Sequence, residues 1–200
     1  EIARVSGVPL ERIVGASYID TIRFRKELQR EIYNVKGKQI NIGMLEEAMV
    51  LGGHGFGMVP IYSGLKLGGI NFNNITELNT DGLRRRVQAA LSTDPIRIQF
   101  TGSTGVNIDE PAAAIYEMIL RLSESNKKVI GAVYDGDCFL SYPCWSEINN
   151  EGLRIVKYDS SVLDQNLSKI SDNERRKLVT SKKEIIALNK RLRTKSMRRD

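Results

Sequence analysis

The chain has 200 residues, 41% hydrophobic and 27% charged, with a formal net charge of +6. That composition suits one packed domain with an appendage and excludes a disordered chain. No stretch reaches the roughly 20 apolar residues of a membrane-spanning helix. No signal-peptide core lies near the start, and a chain that begins at Glu1 is expected to be a piece of a longer polypeptide. Two cysteines, Cys138 and Cys144, argue against a disulfide scaffold and for a reducing compartment.

The charge is unevenly spread. Ser168 to Asp200 holds twelve Lys/Arg against four Asp/Glu, whereas the other 167 residues carry eighteen against twenty. The expectation is a near-neutral α+β body over 1–167 and a basic helical tail over 168–200. Such a tail suits an acidic partner, most simply nucleic acid; it also suits solubility or docking on an acidic protein face.

In chain order, residues 1–35 carry helical spacing broken at Gly7-Val8-Pro9. Ile2 to Ala16 fits a helix-turn-helix register, but Glu11, Arg12 and Ser17 would be its readers, and two packed helices explain the same pattern. Tyr18 to Tyr33 reads as a surface helix with one apolar stripe, Ile22, Leu28 and Ile32, ended by Lys36-Gly37-Lys38. Asn41 is placed to cap a short helix through Met49 that stops at Gly52-Gly53. Seven of the seventeen glycines then fall between Gly52 and Gly69, among Phe56, Met58, Val59 and Ile61. Flexible linkers are polar, so this apolar stretch should pack where a backbone or ligand comes close. Met58–Tyr62 and Ile70–Phe72 are extended candidates, and 81–91 is a helix candidate.

Ile96 to Phe100 alternates strictly and reads as a strand, followed by a turn over Thr101–Gly105. Pro111 opens an apolar helix to Ser123. Val129–Val133 and Cys138–Leu140 flank Asp135-Gly136, a hairpin signal. Leu153–Val156 is a further strand candidate. Ser171-Asp172-Asn173-Glu174 is a capping box for the tail helix. The mixture reads as α+β and helix-dominated, with short antiparallel hairpins packed on helices and a C-terminal basic helix.

Candidate chemistry is sparse. Gly53-x-Gly55-x-Gly57 lacks the preceding strand and following helix of a dinucleotide loop, so a packed turn accounts for it. His54 is the single histidine; with Cys138 and Cys144 it falls short of a zinc set. A Cys–His54 pair lacks an identifiable third group to orient it. Asp135-Gly136-Asp137 resembles a metal-binding hairpin of a two-metal polymerase, yet no aspartate motif precedes it, and an Asp-Gly turn suffices. No catalytic or metal-ligating residue is assigned. Arginine forks match phosphate oxygens, so the expected phosphate contacts are Arg84, Arg85 and Arg86, with Lys182, Lys183, Lys190, Arg191 and Arg193 of the tail.

A colinear succession then stands out: Ser6-Gly7-Val8-Pro9, Val14-Gly15, Tyr18, Glu31-Ile32-Tyr33, Ile96–Gly102, Ile115-Tyr116, Phe139–Pro143 and Ser146-Glu147. It resembles the C-terminal bracelet region of the RNA-dependent RNA polymerases of segmented double-stranded RNA viruses, the reovirus and rotavirus group. Residues 37–94 and the basic tail depart from that pattern. The resemblance implies a non-catalytic domain that shapes an RNA exit channel, with no cofactor of its own and Mg2+ only in the parent polymerase. It implies RNA, the remaining polymerase domains and an inner capsid shell protein as partners, no membrane, and a place in the virion core or host cytoplasm. The alternative is a non-enzymatic nucleic-acid-binding or capsid-associated assembly protein.

Overall fold

The computed structural model describes residues 6–37, 45, 47–54, 57–67, 70–74, 81–86, 89, 109–124, 127–166 and 170–196. Expectations placed on Ile2, Asn41, residues 87–91, the strand Ile96–Phe100 and the turn Thr101–Gly105 lie outside these residues, apart from Ala89. The short helix expected to run through Met49 to Gly52-Gly53 is corrected, because Met49–Gly52 is a strand that pairs with Met58–Ile61.

After a short 3-10 turn at Leu10–Arg12 come helix α1 (Tyr18–Lys36) and strands β1 (Met49–Gly52), β2 (Met58–Ile61), β3 (Lys66–Leu67) and β4 (Ile70–Asn71). Helix α2 (Asp109–Ser123), strands β5 (Val129–Tyr134), β6 (Phe139–Asn149) and β7 (Gly152–Tyr158), and helix α3 (Asp172–Ser196) complete the order. A five-stranded antiparallel sheet runs β2-β1-β6-β5, with β7 also on β6; β3 and β4 form a separate ribbon. Opposite β5, β6 meets β1 at Ser141 and β7 from Cys144 onward.

The helix-dominated expectation is therefore corrected, because the sheet is the centre of the fold. The strand expected over Cys138–Leu140 instead runs on to Asn149, through Pro143. Pro143 sits between Ser141 and Cys144, where β6 exchanges β1 for β7, so the missing N–H falls at a gap in the ladder. Pro60 is tolerated for a related reason: β2 is an edge strand. The β5–β6 hairpin does turn at Asp135-Gly136, with Gly136 at φ 100°.

The β1–β2 ribbon is buried on both faces. Val50 and Met58 point to one side with Phe24, Leu28, Tyr62 and Phe72; Leu51, Val59 and Ile61 point to the other with Tyr142 and Leu178. α1 thus covers one face and α3 the other. α1 is no surface helix with a single stripe: Asp20, Thr21, Arg25 and Glu31 are buried beside its apolar residues. Each pairs where it lands: the Thr21 hydroxyl accepts the Val50 amide at 3.0 Å, and Arg25 Nε donates to the Ala48 carbonyl at 3.0 Å. These two bonds fix the register of α1 on β1, and with it the position of Asp20.

α3 opens with the expected capping box. Ser171 and Glu174 exchange hydrogen bonds, and the Glu174 carboxylate also accepts the amides of Tyr62 at 2.7 Å and Ser63 at 3.3 Å. One buried carboxylate therefore caps α3 and ties it to the end of β2.

Candidate active site

Two turns meet at one pocket. The first, Gly15-Ala16-Ser17, leads into α1 and is bridged to β5 through Gly15 and Ala132, with N···O distances of 2.8 and 3.2 Å. The second is the loop between β1 and β2, which starts at Gly52-Gly53-His54. Gly52 has φ 88°, which an L side chain rarely adopts, and a Cβ there would stand 2.3 Å from the Gly57 carbonyl oxygen.

His54 leaves this loop toward α1, where its Nδ1 lies 2.9 Å from Asp20 Oδ2. Asp20 is almost wholly buried, at 3% exposure, whereas the imidazole is 58% exposed. Arg23, one turn along α1, places Nη1 4.0 Å from Asp20 Oδ1. His54, Arg23 and Ser17 line a pocket of roughly 610 Å³ whose other walls include Ile19, Ile115, Ala132 and Phe139. An ionised carboxylate at Oδ2 makes Nδ1 the protonated nitrogen and leaves Nε2 free. The hydrogen bond to Asp20 raises the His54 pKa above its ordinary 6.5; burial and the Arg23 charge oppose it, and the Asp20 charge adds to it. A base–orienter pair beside a guanidinium, in a largely apolar pocket, can move a proton on a small anionic molecule.

Sequence reasoning left His54 without an orienting partner and did not single out Asp20 or Arg23. Thirty-four residues separate Asp20 from His54, and both α1 residues lay within a charged run that read as solvated surface. The available signal was an Asp-x-x-Arg pair in the first turn of a helix together with a Gly-Gly-His turn. A Cys–His54 nucleophile pair is not formed. Cys138 and Cys144 are buried free thiols, pushed up by that burial to about 11 and about 12.

The residues expected to meet phosphate are dispersed. The Arg86 guanidinium is bidentate to Glu31 at 2.9 and 2.6 Å, and Arg84 lies over the Tyr62 ring at 5.0 Å. Lys182 Nζ bridges Asp135 at 3.0 Å and Asp137 at 2.9 Å. Arg85, Lys183, Lys190 and Arg191 are exposed, and the Arg193 side chain lies outside the described residues. Asp135 and Asp137 thus hold an ammonium; among the described residues no three His, Cys, Asp or Glu gather as a metal set. Among the same residues, no helix is long and apolar enough to cross a membrane.

No family model matches the chain. Over 94% of its length it is 30% identical to malate dehydrogenase of Francisella tularensis subsp. tularensis (strain WY96-3418), covering 57% of that protein. It is 32% identical to malate dehydrogenase of Chlorobium chlorochromatii (strain CaD3) over 130 residues, 64% of this chain and 38% of the relative. The chain therefore spans less than two thirds of either relative. Among solved structures, malate dehydrogenase of Cryptosporidium parvum matches with a TM-score of 0.71 at 21% identity, over 96% of this chain and 59% of that one. Malate dehydrogenase of Plasmodium falciparum in complex with NADH gives 0.69 at 21% identity, over 94% and 59%. Lactate dehydrogenase of Cryptosporidium parvum, complexed with lactic acid and nicotinamide adenine dinucleotide, gives 0.66 at 21% identity, over 95% and 57%.

The fold is thus the one seen in malate and lactate dehydrogenases. The resemblance to a viral RNA polymerase bracelet is overturned, and with it the polymerase function, the nucleic-acid-binding or capsid-associated alternative, and the virion-core location. RNA, polymerase domains and a capsid shell protein fall as partners. The expectation of no cofactor beyond a polymerase's Mg2+ is corrected by the neighbours that hold NADH or nicotinamide adenine dinucleotide. The physical reason is that short colinear motifs carry little information. Val14-Gly15 and Phe139–Pro143, quoted for the resemblance, instead pack the turn against β5 and form β6.

Proposed function

We propose that this chain carries the substrate-binding and proton-transfer half of a nicotinamide-dependent 2-hydroxy-acid dehydrogenase of the malate type. The observation that carries this reading is the 2.9 Å contact of His54 Nδ1 with buried Asp20, one helical turn from Arg23 in the same pocket. The likeness to malate dehydrogenases supports it.

In oxidation, His54 Nε2 takes the proton of the substrate hydroxyl while a hydride leaves the carbon that bears it. In reduction, the imidazolium returns that proton to the ketone oxygen. Asp20 holds the tautomer and orientation of the ring and stabilises the imidazolium. Arg23 binds the substrate carboxylate through its planar fork and so fixes the reacting carbon beside His54. The apolar wall of Ile19, Ile115, Ala132 and Phe139 offers a nonpolar surface against which a nicotinamide ring could lie; that ring, when bound, would supply the hydride acceptor in oxidation and the donor in reduction. Gly53 and Gly57 lie at the ends of a loop between two strands, so they do not form a phosphate-binding strand–helix turn.

The test is reduction of oxaloacetate by NADH, followed through the loss of NADH absorbance, in a polypeptide that joins this chain to a nicotinamide-binding half. The wild-type protein should turn over, and His54→Asn should lower kcat by about 10²–10⁴-fold. Arg23→Lys should act mainly by raising KM. Wild-type turnover undiminished in His54→Asn, or no turnover of any short 2-oxo acid with NADH or NADPH, would overturn the reading.

A further inference from the structure

We propose that α3 is a positioning strut for the proton-transfer pair: Ser181, anchored beside Lys182, holds the Gly52–Gly57 turn so that His54 meets Asp20. The inference rests on the proposed role of that pair and extends it to a helix that contributes no side chain to the pocket.

Ser181 is almost fully buried, at 3% exposure. Its Oγ accepts the Gly53 amide at 2.9 Å, and the same amide is shared with the Gly57 carbonyl at 3.1 Å. The Gly52–Gly53 peptide, one residue before His54, is therefore held by α3 and by closure of its own loop. Ser181 occupies space that three absent side chains leave open. A Cβ on Gly52, Gly53 or Gly57 would lie 3.1, 3.4 or 2.6 Å from Ser181 Oγ, and one on Gly53 would also come within 2.6 Å of Ile185 Cδ1. The glycines thus admit the helix as well as making the turn. At the next position, Lys182 spans Asp135 and Asp137 of the β5–β6 turn. That hairpin carries Ala132, Phe139 and Ser141 into the pocket wall. One turn of α3 accordingly touches both loops that frame the site. A second anchor of the same helix, Glu174 on Tyr62 and Ser63, lies at the far end of β2 and reaches neither loop.

His54 is the single histidine of the chain, so its imidazole resonances report the pair without ambiguity. Asp20 and Arg23 are the charged groups that act on it. The experiment is an NMR titration of His54 in the wild-type protein and in Asp20→Asn, Ser181→Ala, Lys182→Gln and Glu174→Gln, each with a thermal melt. Ser181→Ala should return the His54 midpoint toward about 6.5, and Lys182→Gln should shift it the same way by less. Glu174→Gln should lower the melting temperature and leave the His54 midpoint in place. An unmoved midpoint in Ser181→Ala overturns the strut, as does an equal shift in Glu174→Gln, which would mean only that a looser fold loosens the pair. Asp20→Asn separates the two readings. If it moves the midpoint and Ser181→Ala does not, the strut alone fails; if neither moves it, the proton-transfer pair fails as well.

Discussion

Two carboxylates, Asp20 and Asp135, have side chains buried to the same degree, each at 3% exposure, and each faces a basic side chain. They are wired differently. Asp135 is saturated: Oδ2 accepts from the Tyr142 hydroxyl at 2.6 Å and Lys182, and Oδ1 from the amides of Asp137 and Cys138 at 3.2 Å. Burial alone would raise the Asp135 pKa, but these bonds outweigh it and hold it below its ordinary value. Asp20 binds His54 through Oδ2, while its buried Oδ1 accepts no hydrogen bond among the described residues. A carboxylate whose lone pairs are all used stabilises a fold. One that serves an exposed imidazole tunes a group that can trade a proton with solvent or substrate.

The largest effect expected from this contrast is catalytic. Asp20→Asn should lower kcat by about 10²-fold or more, because an amide can present the wrong hydrogen-bonding face to Nδ1. Its melting temperature should change far less than its rate. Leu178→Ala should do the reverse on the other side of the sheet. It removes a fully buried side chain beneath β1–β2 and should lower unfolding free energy by about 2–5 kcal/mol in denaturant titrations. Lys182→Met, which leaves Asp135 without its cationic partner, should reduce stability by about 1–3 kcal/mol, measured the same way.

Acid and base should separate the two centres further. The His54 pKa is raised, so its contribution to stability is complete below 6.5 and is lost as pH rises through the higher folded value. Reductive turnover should fall over that same rise, and oxidative turnover should grow. Asp135 and Glu174 are lowered, so their contribution is present above about 4 and lost as pH falls through their folded values. A melting-temperature profile that loses stability at both ends of the pH range would match. The smallest effect belongs to exposed Arg85, whose change to Ala should stay within about 0.5 kcal/mol.

Local rules read part of this molecule correctly. The Ser171–Glu174 box, the Asp135-Gly136 turn and the end of α1 at Gly37 rest on contacts within a few residues, which spacing can encode. The sheet was under-read because its longest strand runs on past Leu140 through Pro143, tolerated only through a change of neighbour that no local pattern announces. The site was illegible for a similar reason. Asp20 looked like one charge among many on α1, and its burial depends on β1 docking through Thr21 and Arg25. The glycine-dense stretch was expected to pack closely against something; Gly52, Gly53 and Gly57 do so against α3, more than a hundred residues away, whereas a Cβ at Gly64 would meet nothing within 4 Å among the described residues.

The glycine cradle around Ser181 also constrains how such a chain could change by single steps. An alanine at Gly57 puts a methyl 2.6 Å from the hydroxyl and 3.6 Å from the Cβ of residue 181. The same alanine beside Ser181→Gly meets neither atom. Positions 57 and 181 are therefore coupled in order: the helix must shrink before the loop can grow. The reverse path passes through an intermediate in which the turn bearing the histidine is pushed off its helix.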